Sequence, residues 1–91
     1  MNNLQTDKFF QEIKNATVIP SFNVGLLHES YTLETTGHTF VTEVSYPHYH
    51  MEKPTKYDFT AYNKSTNQTL HSDGMLAKFI FMQMSKKVQQ K

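Results

Sequence analysis

The stretch of sequence that decides the fold is Leu26–Tyr46, LLHESYTLETTGHTFVTEVSY. Within it, residues 27–33 and residues 40–46 each place their larger apolar side chains on one face of an extended chain. Alternation with a period of two is typical of β-strands that have one buried face. The Thr35–His38 segment between the two runs contains a glycine and has the composition of a tight turn. The stretch therefore predicts a β-hairpin.

A two-residue loop at Thr36 and Gly37 would set the register of this hairpin. The facing pairs would then be Leu33 with Phe40, Tyr31 with Thr42, and Leu27 with Tyr46. All three pairs fall on one face, and a shift of one residue would turn the apolar side chains to the other face. That other face is polar enough to meet water, and it holds His28, Ser30, Thr32, Glu34, Thr39, Val41, Glu43 and Ser45.

Further elements are predicted on either side of the hairpin. Residues 5–14 have the periodicity of a short amphipathic helix. Thr17–Ile19 predicts the start of a strand, which Pro20 would keep at a sheet edge or bend. After the hairpin, the predicted elements are two strands and a helix, at residues 57–61, 69–71 and 75–88.

The predicted order of elements is α-β-β-β-β-β-α, in a single domain that spans residues 1–91. Hairpin connections favour an antiparallel sheet, and an apolar stripe on each helix favours packing against one face of that sheet. The sequence thus predicts an α+β fold. Its antiparallel sheet of four to five strands would be covered by an N-terminal and a C-terminal helix.

The C-terminal helix carries more apolar residues than one buried face needs. In Met75–Met84, MLAKFIFMQM, eight of ten residues are apolar, whereas a stripe somewhat wider than about 100° is enough to face a core. The predicted core residues are Leu76, Phe79, Ile80 and Met84. Phe81 and Val88 lie together at the edge of this arc, so we expect them to contact a partner protein or a second copy of the chain.

The composition excludes several kinds of chemistry. The chain has no Cys, which rules out disulfides, thiolate metal sites and cysteine nucleophiles. It also has no Arg, so it lacks the guanidinium fork that dedicated readers of phosphates and bases exploit. Residues 1–45 hold two Lys against five acidic residues, and residues 46–91 hold seven Lys against three. We expect an acidic side and a basic side of the molecule from this imbalance.

The sequence also bears on location. The first residues, MNNLQTDKFFQEIKN, lack the basic region and the uninterrupted apolar run of a signal peptide. The longest apolar run, residues 79–82, is too short to span a bilayer. We therefore expect a cytoplasmic protein with no membrane partner.

A histidine pair is the sharpest cluster of possible metal ligands. His48 and His50 would point to the same side of an extended segment, which suits a metal if further ligands are near. His28, His71 or Glu52 could supply those ligands. The opposing interpretation is a solvent-exposed loop bounded by prolines, and we predict no metal and no cofactor. A general base such as His28 would need a nucleophile or a bound substrate, and because no motif provides either, we predict no enzymatic activity.

Tyrosines and lysines form the best candidate for a nucleic-acid contact. Tyr49 and Tyr62 point away from the predicted core, near Lys53, Lys56 and Lys64. Aromatic rings beside cations can stack bases and bind phosphates. The same set would also suit a contact with another protein.

The function that we expect is a small non-catalytic protein-binding module, whose partner is another protein or a second copy. Many Lys, Asn and Tyr without any Arg suggest an AT-rich gene. Together with the small size, this favours a phage or mobile-element inhibitor of a host machine, similar in kind to anti-CRISPR proteins. The alternatives are a Lys/Tyr-based nucleic-acid-binding protein and a His-based metal-dependent enzyme.

Overall fold

Five strands and two helices make up the computed structural model, which describes residues 3–46 and 56–89, with side chains from Lys8 onward. In chain order the elements are α1 (Asn3–Asn15), β1 (Ser21–Gly25), β2 (His28–Glu34), β3 (His38–Ser45), β4 (Lys56–Asn63), β5 (Thr69–Asp73) and α2 (Met75–Gln89). The strands form one antiparallel sheet in sequence order. The predicted α+β fold is confirmed.

The central hairpin has the register that the sequence predicts. Leu33 faces Phe40 and Tyr31 faces Thr42. At the far end, the Tyr46 N–H donates to the carbonyl of Leu27 over 3.0 Å. The apolar side chains of β2 and β3 therefore turn to the same side of the sheet.

The opposite side of the sheet, which we call the open face, departs from expectation at one residue. Ser30 was expected to meet water, but only 8% of it is exposed. Its short side chain lies between Asn23 on β1 and Glu43 on β3, which are both longer.

The first strand begins later than predicted. The prediction of a strand at Thr17–Ile19 is wrong, because β1 starts at Ser21, directly after Pro20. The first pair of β1 with β2 is Ser21 with Thr32, and residues 17–20 lead to the sheet from Ala16, whose carbonyl is held by Lys87 of α2. Val18 and Ile19 are left about half exposed, at 49% and 48%.

The core lies between the sheet and the two helices. Phe40 is fully buried at its centre, with ring centroids 5.7 Å from Phe9 of α1 and 6.0 Å from Phe59 of β4. Ile13 of α1 and Ile80 of α2 are also fully buried. Each helix thus contributes an apolar stripe to one core.

The C-terminal helix is rotated from the predicted orientation. Phe79 was expected in the core, but 52% of it is exposed. The residue that faces the core without exposure is Ala77, beside Ile80 and Met84. A small residue allows a helix to approach its sheet closely. The sequence prediction placed the larger Phe79 in the core and therefore missed Ala77. Phe81 is only partly buried and packs against the core.

A lysine joins the two helices. The Nζ of Lys87 on α2 donates to the carbonyls of Lys14 and Ala16 at the end of α1, over 3.2 and 2.6 Å. The last carbonyls of a helix have no partner within the helix, and a cation there is favourable. This contact fixes the C-terminal part of α2 against α1. Neither α1 nor α2 has the length and apolar character needed to cross a bilayer.

Candidate protein-binding surface

The outward face of α2 carries an exposed apolar stripe. Met75, Phe79 and Met82 are 64%, 52% and 47% exposed. Their spacing of four and three residues places them in one row along the helix. At about 100° per residue, this row lies opposite the buried Ala77, Ile80 and Met84. We call Met75, Phe79 and Met82 the α2 stripe.

Two exposed lysines border the α2 stripe. Lys86 continues the row one turn beyond Met82, and Lys78 flanks it on one side. The helix contains no carboxylate. Met and aromatic side chains are enriched in protein interfaces, and Met adapts its shape to an irregular partner surface. The stripe therefore has the chemistry to bind an apolar groove that is bordered by carboxylates.

A second apolar surface lies at the edge of the sheet that β1 forms. Five large apolar residues within residues 18–26 are substantially exposed: Val18, Ile19, Phe22, Val24 and Leu26. We call them the β1 edge. Leu26 is 93% exposed and stands in the β1–β2 turn beside Leu27, whose φ of 60° lies in the left-handed region. The rest of the domain covers this surface only in part. Among the described ring contacts, Phe22 meets the core ring of Tyr31 alone, with 4.8 Å between the ring centroids.

The open face of the sheet is acidic. Glu43, Asp58 and Asp73 are directly opposite one another across β3, β4 and β5. Like charges at facing positions repel. A protonatable group and a cationic group both stand beside the middle carboxylate, since His71 Nε2 lies 3.2 Å and Lys56 Nζ 3.9 Å from Asp58.

The predicted acidic and basic sides follow the layers of the fold and not the halves of the chain. Glu34 and Glu43 of the first half share the open face with Asp58 and Asp73 of the second. Four exposed lysines, two from each half, lie on the helices, at Lys8, Lys14, Lys78 and Lys86, whereas the exposed Lys56 and Lys64 belong to β4 and the turn after it. The helix layer is therefore the basic side.

Among the described residues predicted to contact nucleic acid, Lys56 lies apart from Tyr62. Lys56 begins β4 and Tyr62 lies six residues later, roughly 20 Å away along the strand. Lys64 is engaged, because its Nζ is 3.2 Å from Glu34 and donates to the Thr35 carbonyl over 2.8 Å. Tyr49 and Lys53 lie outside the described residues.

The two apolar residues predicted to contact a partner are partly buried. Phe81 meets the rings of Tyr31 and Tyr57, at 5.1 and 5.8 Å between centroids. Val88 also packs against the core. Their exposed parts remain candidates for partner contact, but the larger free apolar area on α2 belongs to Phe79 and its row.

A cavity of about 270 Å³ lies between α1 and the β4–β5 hairpin. On its wall, Glu12 accepts a hydrogen bond from the Thr35 hydroxyl over 2.6 Å, and His38 Nδ1 is 3.0 Å from the same carboxylate. These contacts hold the hairpin turn against α1. Glu12 and His38 are thereby both engaged in the packing of α1 against the sheet.

The other described histidines, His28 and His71, lie on different strands. His28 Nε2 lies 3.7 Å from Glu43 on the open face, where both side chains are exposed. Among residues 8–46 and 56–89, no three His, Asp or Glu side chains are grouped closely enough to hold a metal ion. His48, His50 and Glu52 lie outside the described residues, so the prediction about them is untested.

Within the described part of the chain, the pKa of Tyr46 is shifted strongly. Tyr46 donates a hydrogen bond to Glu29 over 2.8 Å on the helix side of the sheet. Burial, followed by the hydrogen bond to this carboxylate and its negative charge, raises the pKa of Tyr46 to about 12. The pair closes the end of the central hairpin, and it is a structural contact.

The chain matches no protein-family model, no curated protein and no solved structure. A fold by itself assigns no activity. The inference of function therefore starts from the α2 stripe and the β1 edge.

Proposed function

We propose that this chain is a cytoplasmic, non-catalytic protein-binding module that contacts its partner through the α2 stripe. The observation that carries the proposal is the row of Met75, Phe79 and Met82 on the solvent side of a helix whose other side is fully packed. The helix needs none of these three side chains to cover its sheet. Exposed apolar rows of this kind mark protein-binding sites.

The charges around the α2 stripe indicate what kind of partner surface would bind it. Lys78 and Lys86 border the stripe, and no carboxylate lies on the helix. A complementary surface would offer an apolar groove about two helical turns long, with Asp or Glu at its rim. Rim charges of this kind steer the encounter more than they add affinity.

The narrower hypothesis of an anti-CRISPR-like inhibitor from a phage or mobile element is supported by size and composition alone. The nucleic-acid alternative has less support on the open face, where carboxylates outnumber lysines and would repel phosphates.

The test compares three immobilised proteins against a lysate of a low-GC bacterium, with mass spectrometry of the bound fraction. The proteins are the unaltered chain, Phe79→Glu, and Gln11→Glu as the control. Gln11 is exposed on α1, so its change adds the same charge to a helix surface outside the stripe. A partner held by the chain and by Gln11→Glu should be lost with Phe79→Glu, because an aromatic anchor contributes about 2 kcal/mol or more.

The purified partner then allows affinity to be measured. We expect Lys78→Gln and Lys86→Gln to weaken binding by up to about fivefold each, and less at high salt. Equal capture by all three immobilised proteins would refute the α2 stripe as the contact. Binding of the pure chain to single- or double-stranded DNA or RNA at low salt would instead support the nucleic-acid alternative.

A further inference from the structure

The β1 edge has an unusual sequence for the last strand of a sheet. β1 has β2 as its single neighbour in the sheet of the described residues. From Asn15 to Leu27 the chain has no charged residue. Natural edge strands are commonly protected by charges, and the other edge strand of this sheet, β5, carries Asp73. The β1 edge thus lacks the usual protection against pairing with another strand.

The apolar and polar residues of β1 lie on matching faces of the sheet. Phe22 and Val24 face Tyr31 and Glu29 on the helix side, whereas Asn23 faces Ser30 on the open face. Any strand added to this edge must repeat that alternation to keep its apolar residues off the open face.

The turn after β1 exposes one more apolar residue at a conformational cost. Leu26 and Leu27 form the two-residue turn, since Gly25 faces His28. Two-residue hairpin turns favour residues such as Asn and Gly, which tolerate a positive φ, whereas Leu27 has a φ of 60°. Backbone strain of this kind clusters at functional sites. A strained turn that leaves Leu26 93% exposed therefore suits a side chain that contacts a partner.

The same turn determines which backbone groups of β1 are free for a new strand. The pair that closes a two-residue turn is mutually hydrogen-bonded, and such pairs alternate along an antiparallel ladder. The pairs of Gly25 and Asn23 with β2 are therefore the bonded ones. The N–H and C=O groups of Phe22 and Val24 consequently point away from β2.

We propose that the β1 edge pairs with the β1 edge of a second copy, antiparallel, with Asn23 on the two-fold axis. Phe22 then faces Val24 of the second copy, and Val24 faces its Phe22, with backbone hydrogen bonds within each pair. An aromatic ring opposite a β-branched residue is a favourable cross-strand pair. Pro20 comes opposite Leu26 of the second copy, which covers the exposed Leu26.

Two features favour a second copy over a strand of another protein. The run from Pro20 to Leu26 is complementary to itself in this register, with apolar residues at every second position and Asn23 at the centre. Because β1 carries no charge, two copies approach without local repulsion. The result is one continuous ten-stranded sheet with both pairs of helices on the same side.

An engineered disulfide tests the register directly, because the chain has no cysteine. At the axis, the two Asn23 positions form a pair without backbone hydrogen bonds, with Cα atoms about 4.5 Å apart, within disulfide range. Two Gly25 positions would be roughly 13 Å apart, which is beyond that range. Gly25→Cys is a matched control, since Gly25 is also exposed and a Cβ there meets nothing nearer than 3.8 Å.

We expect Asn23→Cys to form a covalent dimer under mild oxidation at least tenfold faster than Gly25→Cys. Equal rates for the two variants would refute the proposed register. In sedimentation velocity, the unaltered chain should shift from monomer to dimer as its concentration rises to about 1 mM, where weak dimers populate.

Two lysine variants test whether dimerisation depends on the β1 edge and not on another part of the surface. Val24→Lys should keep the chain monomeric with its circular dichroism unchanged, whereas Leu70→Lys, on the opposite edge strand, should leave dimerisation intact. Val24→Pro should also abolish the dimer, since it removes an N–H that points away from β2. An unaltered chain that stays monomeric at every concentration would overturn the proposal and leave the β1 edge to a strand of another protein.

Discussion

The orientation of α2 can be tested by truncating its two phenylalanines that differ in burial. The ring of Phe81 meets those of Tyr31 and Tyr57 at 5.1 and 5.8 Å, both edge to face. A fully buried Phe changed to Ala loses about 3–5 kcal/mol, and an aromatic pair contributes about 0.5–1.5 kcal/mol beyond burial. Because Phe81 is only partly buried, we expect Phe81→Ala to cost about 2–4 kcal/mol. Phe79 is 52% exposed, so Phe79→Ala should cost no more than about 1 kcal/mol.

Urea unfolding followed by far-UV circular dichroism measures both free energies. With a slope of about 2 kcal/mol per molar urea, Phe81→Ala should lower the midpoint of unfolding by about 1–2 M, and Phe79→Ala should shift it by no more than about 0.5 M. The slope itself should stay constant. If Phe79→Ala were the more destabilising of the two, α2 would present Phe79 to the sheet, and both the rotation and the proposed binding stripe would be wrong.

Three further predictions concern the contacts around the core. Phe40→Ala should cost about 3–5 kcal/mol of unfolding free energy in urea, because Phe40 is fully buried at the centre of the core; a loss below about 1 kcal/mol would contradict the hairpin register. Folding raises the pKa of Tyr46 from 10.0 to about 12, so its contribution to the free energy of unfolding is present below pH 10 and is lost as the pH rises towards 12. In chemical denaturation across this pH range, Tyr46→Phe should lose less unfolding free energy than the unaltered chain. Equal losses would exclude Tyr46 as the cause. Lys87→Ala should lower the free energy of unfolding by about 1–2 kcal/mol, because the carbonyls of Lys14 and Ala16 lose a charged donor. Urea unfolding measures this loss, and Lys86→Ala, at an exposed neighbour, is the control.

The parts of the fold that the sequence predicts are those determined locally. The alternation in 27–33 and 40–46 and the tight turn between them act over a few residues, so the register of β2 and β3 could be derived from the chain alone. The start of β1 could not, although Val18 and Ile19 have strand-forming side chains. Lys87 holds the carbonyl of Ala16 in the helix layer, and the residues after Ala16 reach the sheet only at Ser21, so a contact distant in sequence outweighs side-chain preference.

The rotation of α2 depends on contacts that are distant in sequence. Two arcs of the helix are apolar, one through Ala77, Ile80 and Met84 and one through Met75, Phe79 and Met82, and both have the spacing of a core stripe. If the arc with the larger side chains is taken as the core face, Phe79 is predicted to be buried. The sequence did contain one signal for the correct arc, which is that Lys78 and Lys86 border the arc that meets solvent.

The distribution of charge explains why a partner would contact α2 or β1 and leave the open face in water. A partner on the open face would remove water from Glu43, Asp58 and Asp73, and a buried carboxylate is costly unless each one gains a matched cation. Neither α2 nor residues 15–27 contain a carboxylate, and the exposed side chains there are apolar, amide, hydroxyl or lysine groups. Covering them releases water from apolar area at little electrostatic cost.

The α2 stripe lies on the helix layer and the β1 edge at the end of the sheet. A dimer formed through β1 would therefore keep both α2 stripes on one side of the molecule. The two stripes could then bind one partner at the same time, and the second contact would strengthen the first.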